Sequence, residues 1–168
     1  MSQLSLTFHS SLLVRDVAGD YRPANADEVL QAAQRMLAGQ MRGCEALTSP
    51  QVVRDFLRVK LGTLEHEVFA VIHLDAQNRV IDYVEMFRGT VSQTSVYPRE
   101  VVKEALARNS AALLPVHNHP SGVAEPSRAD ELLTQTLKSA LALVDVRVLD
   151  HLIVAGSAIL SFAERGLL

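Results

Sequence analysis

Two histidines stand two positions apart in the run His117-Asn118-His119-Pro120-Ser121-Gly122, and a carboxylate, Asp130, follows eleven positions after the second. Two imidazoles and one carboxylate make three N/O ligands, the number a catalytic zinc site uses while keeping a fourth position for water. The segment before them, Ser110 to Val116, reads as a buried strand. Side chains i and i+2 of a strand point to one face, so His117 and His119 can converge on one metal at the strand's end. From Ser127 through Leu143 the pattern is helical. That places Asp130 in the helix's first turn, where it can swing back toward the two histidines.

Each piece also has a plainer use. Ser127-Arg128-Ala129-Asp130 is a helix start, with Ser127 as N-cap and an acidic residue at N3. Pro120-Ser121-Gly122 is ordinary turn chemistry. Neither use explains why metal-competent groups crowd the end of an apolar strand, where unpartnered imidazoles are costly to bury. Capping and ligation are compatible, since Ser127 can cap while Asp130 ligates. The sequence leaves open whether His117 binds through Nε2 or Nδ1.

The rest of the chain must supply the scaffold. Its 168 residues are 48% hydrophobic and 21% charged, which suits one soluble domain with a full core. The lone Cys44 excludes an intramolecular disulfide and a Cys-based zinc cluster, and suits a reducing cytoplasm. The net charge is −3 with a pI near 6.0, so the basic excess usual in nucleic-acid binders is absent. Basic residues are scattered: Arg54, Arg58, Lys60, Arg79, Arg88, Arg99, Lys103, Arg108 and Arg128 among them. No stretch reaches the ~20 apolar residues of a membrane helix, and Met1 to Phe8 lacks the charged start and apolar run of a signal peptide. A cytoplasmic protein without membrane contact or strong nucleic-acid binding is expected. No residue pattern points to a particular oligomeric state.

Residues 1 to about 24 read as an arm. Asn25 with Glu28 predicts a helix start, ended by Gly39 or Gly43; Ser49-Pro50 begins a second helix that stops at Gly62. Strands follow at 68–74 and 79–87, then a short one at 91–96. A helix from Tyr97 to about Arg108 comes next, then the strand, loop and helix that carry the histidines and Asp130, and closing strands at 146–154 and 158–162. Pro115 has no N–H and is expected to leave a gap in the sheet ladder. The order ααβββαβαββ indicates α/β composition of the α+β type, a mixed sheet with helices packed on it.

These residues resemble the JAMM/MPN+ metalloprotease motif, Glu…His-x-His…Ser-x-x-Asp. More narrowly, the chain is similar to bacterial RadC-family proteins of the short type. The likeness is carried by Phe69 to Asp75, Tyr97 to Lys103, His117 to Gly122, Glu125 to Asp130 and Leu149 to Val154. It covers about residues 49–168, leaving residues 1–48 as an N-terminal arm and helix. The long RadC proteins carry an N-terminal helix-hairpin-helix segment, of which at most a reduced two-helix version is visible here. The resemblance implies a JAB/MPN-like, mostly antiparallel curved sheet flanked by helices, with zinc held by His117, His119 and Asp130. It also implies a glutamate beside the zinc water, which alignment of the first central strand assigns to Glu67, with Glu65 two residues away as the fallback.

From these parts a hydrolase can be assembled, acting on a peptide or protein substrate. Glu67 takes the water's proton and returns it to the leaving amine, while the Ser127 hydroxyl donates to the oxyanion. Three classes stand at this point: a zinc peptidase or isopeptidase-like hydrolase, a DNA-repair-associated or nucleic-acid-processing protein, and a non-catalytic MPN interaction module. His9, His66 and His73 have no partner that the sequence identifies. His151, after Asp150, reads first as a packed or hydrogen-bonded sheet histidine and second as a support for a metal ligand.

Overall fold

The computed structural model describes residues 11–46, 49–90 and 94–168. A short hairpin, β1 (Leu13–Arg15) with β2 (Tyr21–Pro23), precedes the helices α1 (Ala26–Met41) and α2 (Pro50–Leu61). Then come β3 (Val68–Leu74), β4 (Val80–Arg88), α3 (Pro98–Ala107), β5 (Ala112–Asn118), α4 (Arg128–Ala142), β6 (Arg147–Val148), β7 (Leu152–Ala155) and β8 (Ala158–Ser161). The main sheet has the order β4-β3-β5-β7-β8, with β6 beside β5. Its pairs are antiparallel except where β5 meets β6 and β7. The expected mixed, mostly antiparallel sheet with helices on it is therefore observed.

The two-residue period of the central strands sorts the core into two layers. Val68, Ile72 and Leu74 of β3, with Leu114 and Val116 of β5, pack against Val53, Phe56, Leu57 and Leu61 of α2. Phe69 and Val71, with Leu113, turn the other way onto Val101 and Ala105 of α3 and Leu137 and Leu141 of α4. His117 belongs to this second face by the same alternation. Met41 and Ala46 are buried in the α2-side cluster, so the end of α1 shares that core. Asn25 and Glu28 form the expected capping box at the start of α1. At the end of α2 a Cβ on Gly62 would lie 2.6 Å from the carbonyl oxygens of both Arg58 and Gly156, so no other residue fits between helix and sheet. Among the described residues no helix is long and apolar enough to cross a membrane.

Three expectations need correction. The arm contains the β1–β2 hairpin, closed by a turn in which Asp16 Oδ1 accepts the Ala18 and Asp20 N–H groups. Residues 94–96 are not a strand, and 91–93, with the first ten residues and His9, lie outside the described residues. The single strand expected at 146–154 is interrupted at 149–151. The cause lies across the ladder. Leu149 N–H donates to the Leu113 carbonyl. A continuing parallel ladder would next take a bond from residue 115 back to Leu149, and Pro115 has no N–H to give. Pairing resumes at Leu152 opposite Val116, so residues 149–151 bulge past 114–115.

His73 sits fully buried on β3, with Nδ1 2.8 Å from Ser110 Oγ. Burial, aided by the Arg108 charge, pushes its pKa down to about 4. The unfolded chain, with a pKa of about 6.5, therefore takes up this proton first. Its contribution to stability is complete above about pH 6.5 and is lost as pH falls toward 4. Urea midpoints measured at pH 7, 6 and 5 should fall across that window, and His73→Gln should flatten part of the slope. Identical slopes for the two proteins would remove His73 from the account.

Candidate metal centre

His117 is the penultimate residue of β5 and His119 lies just past its end, both reaching Asp130 of α4. Asn118 between them turns the opposite way. Its Oδ1 accepts the Val68 N–H and its Nδ2 donates to the His66 carbonyl, which ties the end of β5 to the entry of β3. Glu67 lies at that entry, held by a bond from its N–H to the Thr90 carbonyl and one from the Gly89 N–H to its own carbonyl. Across the cleft, Ser127 caps α4 and Asp130 occupies N3, a capping box with aspartate in the reciprocal position.

Ligand atoms of His117, His119 and Asp130 all lie within 4.8 Å of one another, a group able to hold a metal ion. The two Nε2 atoms are 3.0 Å apart, and His117 Nε2 is 3.3 Å from Asp130 Oδ1. Tetrahedral ligands bonded at about 2.0–2.1 Å would sit about 3.3 Å apart. Hydrogen bonding decides which nitrogens face inward. His119 Nδ1 donates to the Val123 carbonyl, 2.8 Å away, leaving Nε2 with its lone pair toward the cleft. His117 Nδ1 is engaged by His151 Nε2 at 2.9 Å, so it too presents Nε2. Two imidazole Nε2 atoms and a carboxylate thus converge, and such a set demands a cation, either protons shared with the carboxylate or a metal ion.

The electrostatics agree. Burial works to raise the Asp130 carboxyl, but hydrogen bonding with His117 and His119 and from Ser127 outweighs it, holding the group well below the usual carboxylate range. His119 is raised above an ordinary imidazole by its contact with Asp130, against the effect of burial. His151 is pushed well below the ordinary range by burial and then by the neighbouring His117, so it is neutral. Asp130 Oδ2 accepts both the Ser127 N–H at 2.7 Å and the Ser127 hydroxyl at 2.6 Å, which leaves Oδ1 for the histidine side.

A cleft of about 440 Å³ opens on this group, lined by Glu67 and Ser127 together with Phe69, Val96, Ser121 and Leu133 among others. Of the residues singled out from sequence, His117, His119, Asp130, Glu67 and Ser127 all border it, whereas Glu65 does not line it. The Ser127 proton is already given to Asp130, so donating to an oxyanion would require the hydroxyl to turn. Sequence reasoning missed Thr134, whose Oγ1 lies 2.6 Å from His151 Nδ1. It also named no role for Asn118 beyond its place in the motif.

A mixed sheet flanked by helices, with a His-x-His strand end facing a Ser-x-x-Asp helix start, defines a protein of the JAB/MPN-like class. The family described as RadC-like JAB domain matches residues 47–167, and the chain belongs to it. It is similar to UPF0758 proteins of several bacteria. Identity is 61% over 150 residues with that of Leptothrix cholodnii, covering 89% of this chain and 68% of that one. It is 56% over 167 residues with that of Methylibium petroleiphilum, covering 95% and 75%. With that of Aromatoleum aromaticum it is 62% over 146 residues, covering 86% and 65%.

Proposed function

We propose that this protein is a zinc-dependent hydrolase of amide bonds, a metallopeptidase or isopeptidase-like enzyme acting on a peptide or protein substrate. One observation carries the reading: three lone-pair donors, two imidazole and one carboxylate, converge in a cleft that a second carboxylate, Glu67, also lines. His117, His119 and Asp130 would hold the metal. Zinc, when bound, supplies a water whose pKa is lowered to about 7 and polarises the scissile carbonyl. Glu67 accepts a proton from the attacking water and passes it to the leaving nitrogen. Ser127 turns its hydroxyl from Asp130 toward the developing oxyanion. Phe69, Val96 and Leu133 give the cleft apolar walls against which a substrate side chain can pack. Cys44 as the lone cysteine suits the reducing cytoplasm, where we place the protein.

A non-catalytic module would have no use for a carboxylate at the Glu67 position. A nucleic-acid enzyme would want a cluster of free cations; Arg54, Arg58, Lys60, Arg79, Lys103 and Arg108 are each ion-paired with carboxylates, which leaves Arg88, Arg99 and Arg128 of those named without an ion pair among the described residues. The test is to incubate zinc-loaded protein with a proteome-derived peptide library and with labelled duplex and single-stranded DNA at two salt concentrations. Zinc-dependent new peptide termini are expected, along with DNA dissociation constants no tighter than the ~10⁻⁴–10⁻⁶ M of non-specific binding. Nanomolar DNA binding, or zinc-dependent DNA cleavage without peptide products, would overturn the proposal.

A further inference from the structure

Behind the metal centre lies a chain of hydrogen bonds whose direction can be read atom by atom. The Asp130 backbone carbonyl can only accept, and Thr134 Oγ1 is 2.6 Å from it, so the Thr134 hydroxyl donates there. Having given its proton away, Thr134 Oγ1 faces His151 Nδ1 at 2.6 Å as an acceptor, which places a proton on that nitrogen. His151 is fully buried, and its ring nitrogens meet only the Thr134 hydroxyl and the His117 ring, with no carboxylate to balance a charge. It therefore carries one ring proton, and its Nε2 is an acceptor. Its neighbour at 2.9 Å, His117 Nδ1, must be the donor. These steps put the His117 proton on Nδ1, so a neutral His117 presents Nε2 bare toward His119 and Asp130.

We propose that Thr134 and His151 are positioning residues that lock His117 in the tautomer presenting Nε2 to the metal, through the directed chain His117 to His151 to Thr134 to the Asp130 carbonyl. The inference rests on the metal-centre reading given above. The chain closes on itself, since Asp130 supplies one ligand through its side chain and the terminal acceptor through its main chain. The seating of α4 and the ligand state of β5 are thereby coupled.

Three features favour this over simple packing. Thr136 and Ser139 make the same back-bond to the carbonyl four residues earlier, as helical Ser and Thr commonly do. Both of those bonds are exposed, whereas Thr134 is fully buried and makes a second bond, to an imidazole. His151 is itself fully buried, and its ring lies tilted by 31° with its centroid 4.8 Å from that of Phe162 and is set edge-on 6.1 Å from Phe69. That packing resists a ring flip. Finally, His151 reaches His117 from the 149–151 bulge that Pro115 imposes. Asp150 Oδ1 pins this bulge by accepting the His151 and Ala163 N–H groups.

Without the Thr134 acceptor, His151 loses its reason to carry the proton on Nδ1. A proton on Nε2 would make His117 Nδ1 the acceptor and move the His117 proton onto the ligand nitrogen. Thr134→Val keeps the shape and removes the hydroxyl, and Thr134→Ser keeps the hydroxyl. Zinc affinity is measured by competition with a chromogenic chelator. Long-range proton–nitrogen NMR of the zinc-loaded protein reads which ring nitrogens of His117 and His151 are protonated. Thr134→Val should bind zinc about 10–100-fold more weakly, the loss typical of removing a group that orients a metal ligand. Thr134→Ser should recover most of that affinity, and wild-type spectra should show protons on both Nδ1 atoms.

Equal zinc affinity of Thr134→Val and wild type would overturn the proposal, as would a Thr134→Ser loss as large as that of valine. A wild-type spectrum with the His151 proton on Nε2 overturns it without any variant, so the test survives a valine protein that fails to fold. Wild-type protein that binds no zinc would sink the metal-centre reading itself, and is seen before any variant is made.

Discussion

Wild-type protein should take up one equivalent of zinc per chain, and His117→Ala combined with His119→Ala should reduce the uptake to background. Removing both imidazoles leaves Asp130 as a single carboxylate whose Oδ2 is already occupied by Ser127. One oxygen ligand does not make a zinc site. The variants differ in their effect on the fold, and the difference makes the experiment clean. His117 is buried in β5, and its loss strips His151 Nε2 of its partner. A buried polar group left unpaired costs about 1–3 kcal/mol. His119 is only partly buried, and its Nδ1 bonds a loop carbonyl, so His119→Ala is the milder change. Zinc at 100 times its dissociation constant stabilises a protein by about 2.7 kcal/mol. The wild-type melting temperature should therefore rise with added zinc, and that of His119→Ala should not. Metal analysis giving unchanged stoichiometry in the double variant would place the metal elsewhere.

The His117, His119 and Asp130 cluster was legible because its geometry is local. Strand alternation put His117 and His119 on one face, and the helix start at Ser127 put Asp130 in a first turn; both hold. The α2, β3 and α4 spans were likewise readable from period and caps. What escaped the sequence depends on residues distant along the chain. Neither Pro115 nor the 146–154 run alone shows that strand pairing fails between them; the break follows only when β5 lies beside β6 and β7. His151 read first as a sheet histidine because its partners, His117 and Thr134, are 34 and 17 positions away. The β1–β2 hairpin escaped because three-residue strands are too short to show a period.

Glu67→Gln should retain zinc and fold yet lose at least ~10²-fold in turnover on a peptide identified by the library experiment, the usual scale of general acid–base catalysis. Glutamine matches glutamate in size and can still accept a hydrogen bond through its amide oxygen, but it cannot take up a proton at neutral pH. The backbone at residue 67 is fixed by its bonds to Gly89 and Thr90, which the substitution leaves in place. The carboxylate does act on the centre at a distance, since its charge helps to raise His119. Removing that charge should weaken the hold on a cation slightly, so zinc content has to be measured beside the rate. Three results are then distinct. Turnover lost with zinc kept assigns proton transfer to Glu67. Turnover and zinc lost together would make Glu67 a ligand. Turnover kept, with Glu65→Gln inactive, would move the base to Glu65 and require the β3 entry to rearrange, because Glu65 does not line the cleft as it stands.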